Sequence, residues 1–193
     1  MTTDKLLKQQ EELQKEGKKV LDQLGIIKIL SKYGNPQIVG SFETGLMVWR
    51  DIDIELVKEI DDKDYWKAVD ELFYDNSKLK YLTLINFKNS KNPMTPKGFY
   101  IGIKCWLENK EWKIDVWFIP PRLKGSENMN EWVKNRLTDE NKKIILQIRN
   151  QIHKSQKYRK EIFSTDVYRA VIENRVNNLE GFKEYLKKQG KSL

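Results

Sequence analysis

The sequence predicts an α/β (α+β) fold in which a sheet with flanking helices is followed by a C-terminal helical bundle. Three observations carry this. Residues 37–57 and 99–119 hold apolar segments that alternate with period two, as strands do. Residues 3–23 and 127–188 space their apolar side chains for helices instead. Pro120-Pro121 stands between the two regimes and divides the 193 residues into domains 1–120 and 121–193.

Each element follows in order. Leu6, Leu7, Leu13, Val20 and Leu21 form an apolar stripe on a helix over 3–23, broken by Gly25. A second short helix covers 26–33 and stops at Gly34, with Pro36 just beyond. Gln37-Ile38-Val39 is a short strand running into Gly40-Ser41, and 42–47 suits one or two helical turns. The next strand carries Asp51-Ile52-Asp53-Ile54-Glu55-Leu56. Asp61 or Asp62 caps a helix bearing Tyr65, Trp66, Val69, Leu72 and Phe73. Residues 79–87 alternate as a strand, and 89–97, with two prolines, form a loop. Residues 99–119 read as a β-hairpin turning at Asn109-Lys110, which sets Cys105 opposite Ile114 and Lys104 opposite Asp115. Helices are expected at 127–136, 139–153, 166–175 and 179–188, with caps at Asp139, at Ser164-Thr165-Asp166 and at Asn178.

Composition bounds the function. Apolar residues make up 39% and charged residues 33% of the chain, and six tryptophans and eight tyrosines argue against disorder. The single cysteine, Cys105, excludes an internal disulfide, fits a reducing cytosol and faces the expected core. The single histidine, His153, without a cysteine pair, makes no zinc site. No apolar run has the form of a signal peptide or the length of a membrane span, so a cytoplasmic protein with no membrane partner is expected. The net charge of +8 suits an anionic partner. Its densest basic stretch, 154–160, reads equally well as a solvated face.

Asp51 and Asp53 are the most informative residues. On a strand they share one face, with Cα atoms about 6.5 Å apart, while Ile52, Ile54 and Leu56 enter the core. Adjacent carboxylates repel unless a cation sits between them, and Mg²⁺ is typically held by one or two carboxylates plus substrate phosphates. Gly40 lets a phosphate approach the backbone, Ser41 offers a hydroxyl, and the start of a helix favours an anion. Asp115 supplies a third carboxylate on a later strand. Read alone, the Asp51 segment also fits a strand with a solvated acidic face, Asp115 a surface partner of Lys104 or Lys113, and Glu55 a solvent-exposed residue.

Together, in this order, Gly40-Ser41, Asp51-Ile52-Asp53 and Ile114-Asp115-Val116 resemble the signature of the polymerase-β-like nucleotidyltransferase superfamily. Within it, the chain is similar to small bacterial antibiotic- and small-molecule-modifying transferases. The resemblance spans about residues 35–120, which makes 1–120 the catalytic domain. It implies a cytoplasmic, ATP-binding or other nucleotide-binding enzyme. Such an enzyme moves a nucleoside monophosphate from a nucleoside triphosphate to a hydroxyl of a small-molecule acceptor, releasing pyrophosphate. Asp51, Asp53 and Asp115 would be catalytic and hold two Mg²⁺ ions, with Mn²⁺ as a substitute. Gly40, Ser41 and Lys104 would bind the nucleotide, although Lys104 fits a plain cross-strand ion pair equally well. Arg50 lies just outside the pair and either approaches the acceptor or faces solvent. In the C-terminal half Arg149, His153, Lys154, Tyr158, Arg159, Tyr168 and Arg169 are candidates to hold acceptor or phosphates, each against a plain structural role. The alternatives are a transferase acting on RNA or protein, or a non-catalytic nucleotide- or nucleic-acid-binding module on the same fold.

Overall fold

A computed structural model describes residues 2–59, 61–74, 79–92, 95–121 and 128–193. The elements are α1 (Thr3–Leu24), α2 (Ile26–Leu30), β1 (Pro36–Val39), α3 (Gly40–Glu43), β2 (Asp51–Val57), α4 (Asp62–Tyr74), β3 (Leu79–Asn86), β4 (Phe99–Leu107), β5 (Lys110–Ile119), α5 (Met129–Lys134), α6 (Asp139–Ile152), α7 (Ser164–Ile172) and α8 (Leu179–Lys188). They form two compact units, one of residues 1–13, 44–48 and 127–193, the other of 14–43 and 49–126. Among the described residues no helix is long and apolar enough to cross a membrane.

The second unit is built on a 5-stranded sheet of order β1-β2-β5-β4-β3. β2 and β5 run parallel at its centre, and every other pairing is antiparallel. Alternation gives the sheet one apolar face: Ile52, Ile54, Leu56, Ile101, Ile103, Cys105, Ile114, Val116 and Phe118 are each at most 2% exposed. Burying a side chain of this size contributes about 1.5–3 kcal/mol. α4 covers part of that face, with Tyr65 stacked on Phe99 at 4.2 Å and edge-on to Phe118 at 5.5 Å. Burial pushes the Tyr65 hydroxyl up to about 12 and the Cys105 thiol up to about 11, so Cys105 packs as a small apolar group, as expected.

The hairpin departs from its expected register. The turn falls at Glu108-Asn109, so Leu107 faces Lys110, Cys105 faces Trp112, Lys104 faces Lys113 and Gly102 faces Asp115. Both turn residues have positive φ, 49° and 59°, the geometry of a type I′ turn. Asparagine tolerates that conformation, while a turn at Asn109-Lys110 would force lysine into it. α3 also starts earlier than expected, at Gly40, and closes after one turn at Glu43.

In the other unit, helix starts follow local capping. Thr138 rather than Asp139 caps α6, its Oγ1 accepting from the Asn141 N–H at 3.1 Å. Asp139 instead sits in the first turn, where the helix dipole favours a carboxylate. Asn178 caps α8 as expected, accepting from the Gly181 N–H at 2.8 Å. α7 begins at Ser164, with Asp166 three positions in from the flanking residue and accepting from the Phe163 N–H at 2.8 Å. Arg149 of α6 is 1% exposed and donates to the Leu46 carbonyl and to the hydroxyls of Tyr158 and Tyr168, at 3.3 and 3.2 Å for the hydroxyls. These residues form a buried network that ties segment 44–48 to α6 and α7.

Candidate active site

The parallel pairing of β2 with β5 assembles the site. Asp51 is level with Lys113, and Asp53 is level with Asp115. Paired residues of adjacent strands share a face, and so do residues two apart on one strand. Asp51, Asp53, Lys113 and Asp115 therefore stand together on the face opposite the apolar core. Asp51 and Asp115 are only 5% and 7% exposed.

Gly40 closes the same site from the end of β1. Its φ is +71°, and a Cβ built there would lie 2.5 Å from Asp53 Oδ2. Only glycine takes this backbone without strain and leaves the carboxylate its place. Ser41 follows, buried at 7% exposure, in the turn of α3.

Two side chains hold Asp115: Tyr100, to which the sequence gave no part in the site, and Lys113, which it offered only as a surface partner of Asp115. The Tyr100 hydroxyl donates to Asp115 Oδ1 at 2.7 Å. The Tyr100 ring lies over Gly102, whose added Cβ would come within 2.5 Å of the hydroxyl, and Gly102 is the register partner of Asp115. Trp117 backs the ring at 4.8 Å. The Lys113 ammonium hydrogen-bonds Asp115 Oδ2 and lies 3.6 Å from Asp51 Oδ1. The signal for Tyr100 was present in the alternation of the hairpin but needed the correct register to be read, whereas Lys113 lies two residues from Asp115 on the same strand and needed none.

Lys104, expected beside Asp115, instead pairs with Glu111 Oε1 at 3.1 Å. Hydrogen bonding with Tyr81 and Glu111 holds its pKa above the usual lysine value. Arg50 turns to α1, donating from Nε to Glu16 Oε2 at 2.9 Å, and Lys110 binds the other oxygen of Glu16. Burial raises the Glu16 pKa, but hydrogen bonds from Lys110 and Arg50 outweigh it and leave the carboxyl below its ordinary range. Glu55 is half-buried rather than solvent-exposed, and with Lys91, Lys97, Pro120 and Pro121 it lines a cleft of about 910 Å³. Of the C-terminal candidates, Arg149, Tyr158 and Tyr168 are buried in the network described above. Arg169 pairs with Glu173 at 3.1 Å and stacks over Trp132 at 5.2 Å. His153 ends α6, with Nδ1 2.8 Å from the Asn150 carbonyl.

The donor set is all oxygen, which suits a hard cation such as Mg²⁺. Among the described residues no three acidic, histidine or cysteine side chains converge as a ready-made ion site. The Lys113 ammonium lies within the cluster, against Asp115 and Asp51.

No family model matches the sequence, and no curated protein matches it. The fold is similar to that of the non-canonical poly(A) polymerase complex GLD-2–GLD-3, with a TM-score of 0.56 and 15% identity over 88% of this chain and 57% of that one. It is similar as well to the GLD-2/RNP-8 complex, with a TM-score of 0.53 and 14% identity over 89% of this chain and 64% of that one. The chain thus spans less than two thirds of the length of those solved chains. The mixed sheet with flanking helices is a nucleotidyltransferase fold.

Proposed function

We propose that the chain is a Mg²⁺-dependent nucleotidyltransferase that moves a nucleoside monophosphate from a nucleoside triphosphate to an acceptor hydroxyl. The carrying observation is the pairing of β2 with β5, which sets Asp115 level with Asp53 and beside Asp51 on one face. In the reaction the acceptor oxygen bonds to the α-phosphorus, the bond from that phosphorus to the bridging oxygen breaks, and pyrophosphate leaves. Asp51, Asp53 and Asp115 would hold the divalent ions, which neutralise charge on the attacking and leaving oxygens. Asp115, whose Oδ1 accepts from the Tyr100 hydroxyl, would also accept the hydroxyl proton. Gly40 and the first turn of α3, with Ser41, would receive the outer phosphates. Lys113 takes the place beside the carboxylates that the sequence suggested for Lys104. The acidic cluster supports chemistry over a purely binding role, since a phosphate-binding module gains nothing from buried carboxylates.

The sequence resemblance suggests a small-molecule hydroxyl as acceptor. A second reading, transfer to an RNA 3′ hydroxyl, is supported by likeness to poly(A) polymerase structures and by the net charge of +8.

The test is thermal shift with ATP, GTP, CTP and UTP, each with Mg²⁺ or EDTA, followed by transfer of labelled nucleotide. A nucleotide at a hundred times its dissociation constant stabilises by about 2.7 kcal/mol. We expect a Mg²⁺-dependent shift with one nucleotide, and loss of both shift and transfer in Asp51→Asn and Asp53→Asn with the fold intact. Full transfer by both variants sinks the assignment.

A further inference from the structure

We propose that Lys113 is a built-in counter-ion of the carboxylate cluster, occupying the Asp51–Asp115 gap at rest and exchanged for a divalent cation on loading. This rests on the nucleotidyltransferase reading of the site. Asp51 and Asp115 are nearly buried on one sheet face, where two carboxylates without a cation repel at short range. A single ammonium meets both: Lys113 Nζ hydrogen-bonds Asp115 Oδ2 and lies 3.6 Å from Asp51 Oδ1.

Two features make this cation exchangeable rather than a fixed strut. The Lys113 side chain is 30% exposed, so its head can withdraw into water on a flexible stem while the aspartates stay in place. Asp115 is held from two sides by different groups, Tyr100 on Oδ1 and Lys113 on Oδ2. Departure of the lysine frees Oδ2 from it while the tyrosine still fixes the carboxylate plane. Lys104, one strand over and level with Lys113, is engaged by Glu111 and serves as an internal reference.

The exchange is tested by titrating Mn²⁺ alone into the full chain, by electron paramagnetic resonance or calorimetry, for the parent, Lys113→Met and Lys104→Met. We expect Lys113→Met to tighten Mn²⁺ binding by roughly tenfold, because a positive charge that competes with the ion is removed. Lys104→Met should bind as the parent does. Lys113→Met should also melt lower than the parent in EDTA and gain more from Mn²⁺. Equal tightening in both variants would mean a general field effect and overturn the exchange. Equal affinity in parent and Lys113→Met overturns it while leaving the nucleotidyltransferase reading intact. Absence of Mn²⁺ binding in every protein, with or without nucleotide, overturns both. Should Lys113→Met not fold, acylation of the parent's lysines read by mass spectrometry decides. Lys113 should react faster with Mn²⁺ than with EDTA, relative to Lys104, and an unchanged ratio overturns the exchange.

Discussion

Gly40 and Asp53 lie closer together than any larger residue at position 40 would allow. An alanine there meets two separate penalties: a left-handed backbone at φ +71°, and a Cβ 2.5 Å from Asp53 Oδ2. The first costs about 1–2 kcal/mol. The second falls on the carboxylate that the proposed chemistry needs. Gly25 separates them, for its φ is +61° and nothing lies within 4 Å of a Cβ built there. We expect Gly25→Ala to lower the melting temperature by roughly 2–8 °C at about 2–4 °C per kcal/mol, and Gly40→Ala to lower it at least as much. Transfer should collapse in Gly40→Ala alone. Equal loss of activity in both would remove Gly40 from the site. At this scale Asp51 and Asp53 were legible because period two alone places them on one face. Tyr100 was not, because its reach to Asp115 runs over a missing side chain at Gly102 on a strand whose register was undetermined.

Among the elements, the hairpin shows what alternation can and cannot specify. The expected and observed registers differ by two residues, and a shift of two keeps every side chain on its own face. The apolar face of 101, 103, 105, 112, 114, 116 and 118 is thus the same in both, and hydrophobic pattern cannot choose between them. The choice lies in the turn and in contacts distant in sequence, notably Glu16 of α1 gripping Lys110 at the first residue of β5. The pairing of β2 with β5 is likewise non-local: a helix, a strand and half the hairpin intervene, so sequence could offer Asp115 only by analogy. The turn gives a direct check. Converting Glu108-Asn109 to Asn-Gly supplies the residues a type I′ turn prefers and should stabilise by about 0.5–1 kcal/mol. Lys110→Gly should destabilise, since Lys110 is a strand residue bound to Glu16. With the turn at Asn109-Lys110 the second result would reverse, and denaturant melts of the two variants distinguish the registers.

For the molecule as a whole, the open variable is the acceptor, and charge offers a way to read it. The +8 excess comes from 36 basic against 28 acidic residues distributed along the chain, so it acts as a general field rather than a single contact. A nucleoside triphosphate is common to both acceptor readings, and its response to salt is common to both as well. An RNA acceptor adds counterion release: log affinity falls with log salt at a slope of about −0.7 per phosphate contacted on a single strand. Four such contacts weaken binding roughly 50-fold between 50 and 200 mM salt. A neutral small-molecule hydroxyl has no such term. Under the RNA reading we expect the steep response for transfer to an RNA 3′ end, measured at saturating nucleotide and limiting RNA. A flat response on RNA, with efficient transfer to a small hydroxyl compound, would return the acceptor to the small-molecule class. Either result leaves the carboxylate face unchanged, because that face is set by the pairing of β2 with β5 and not by what is brought to it.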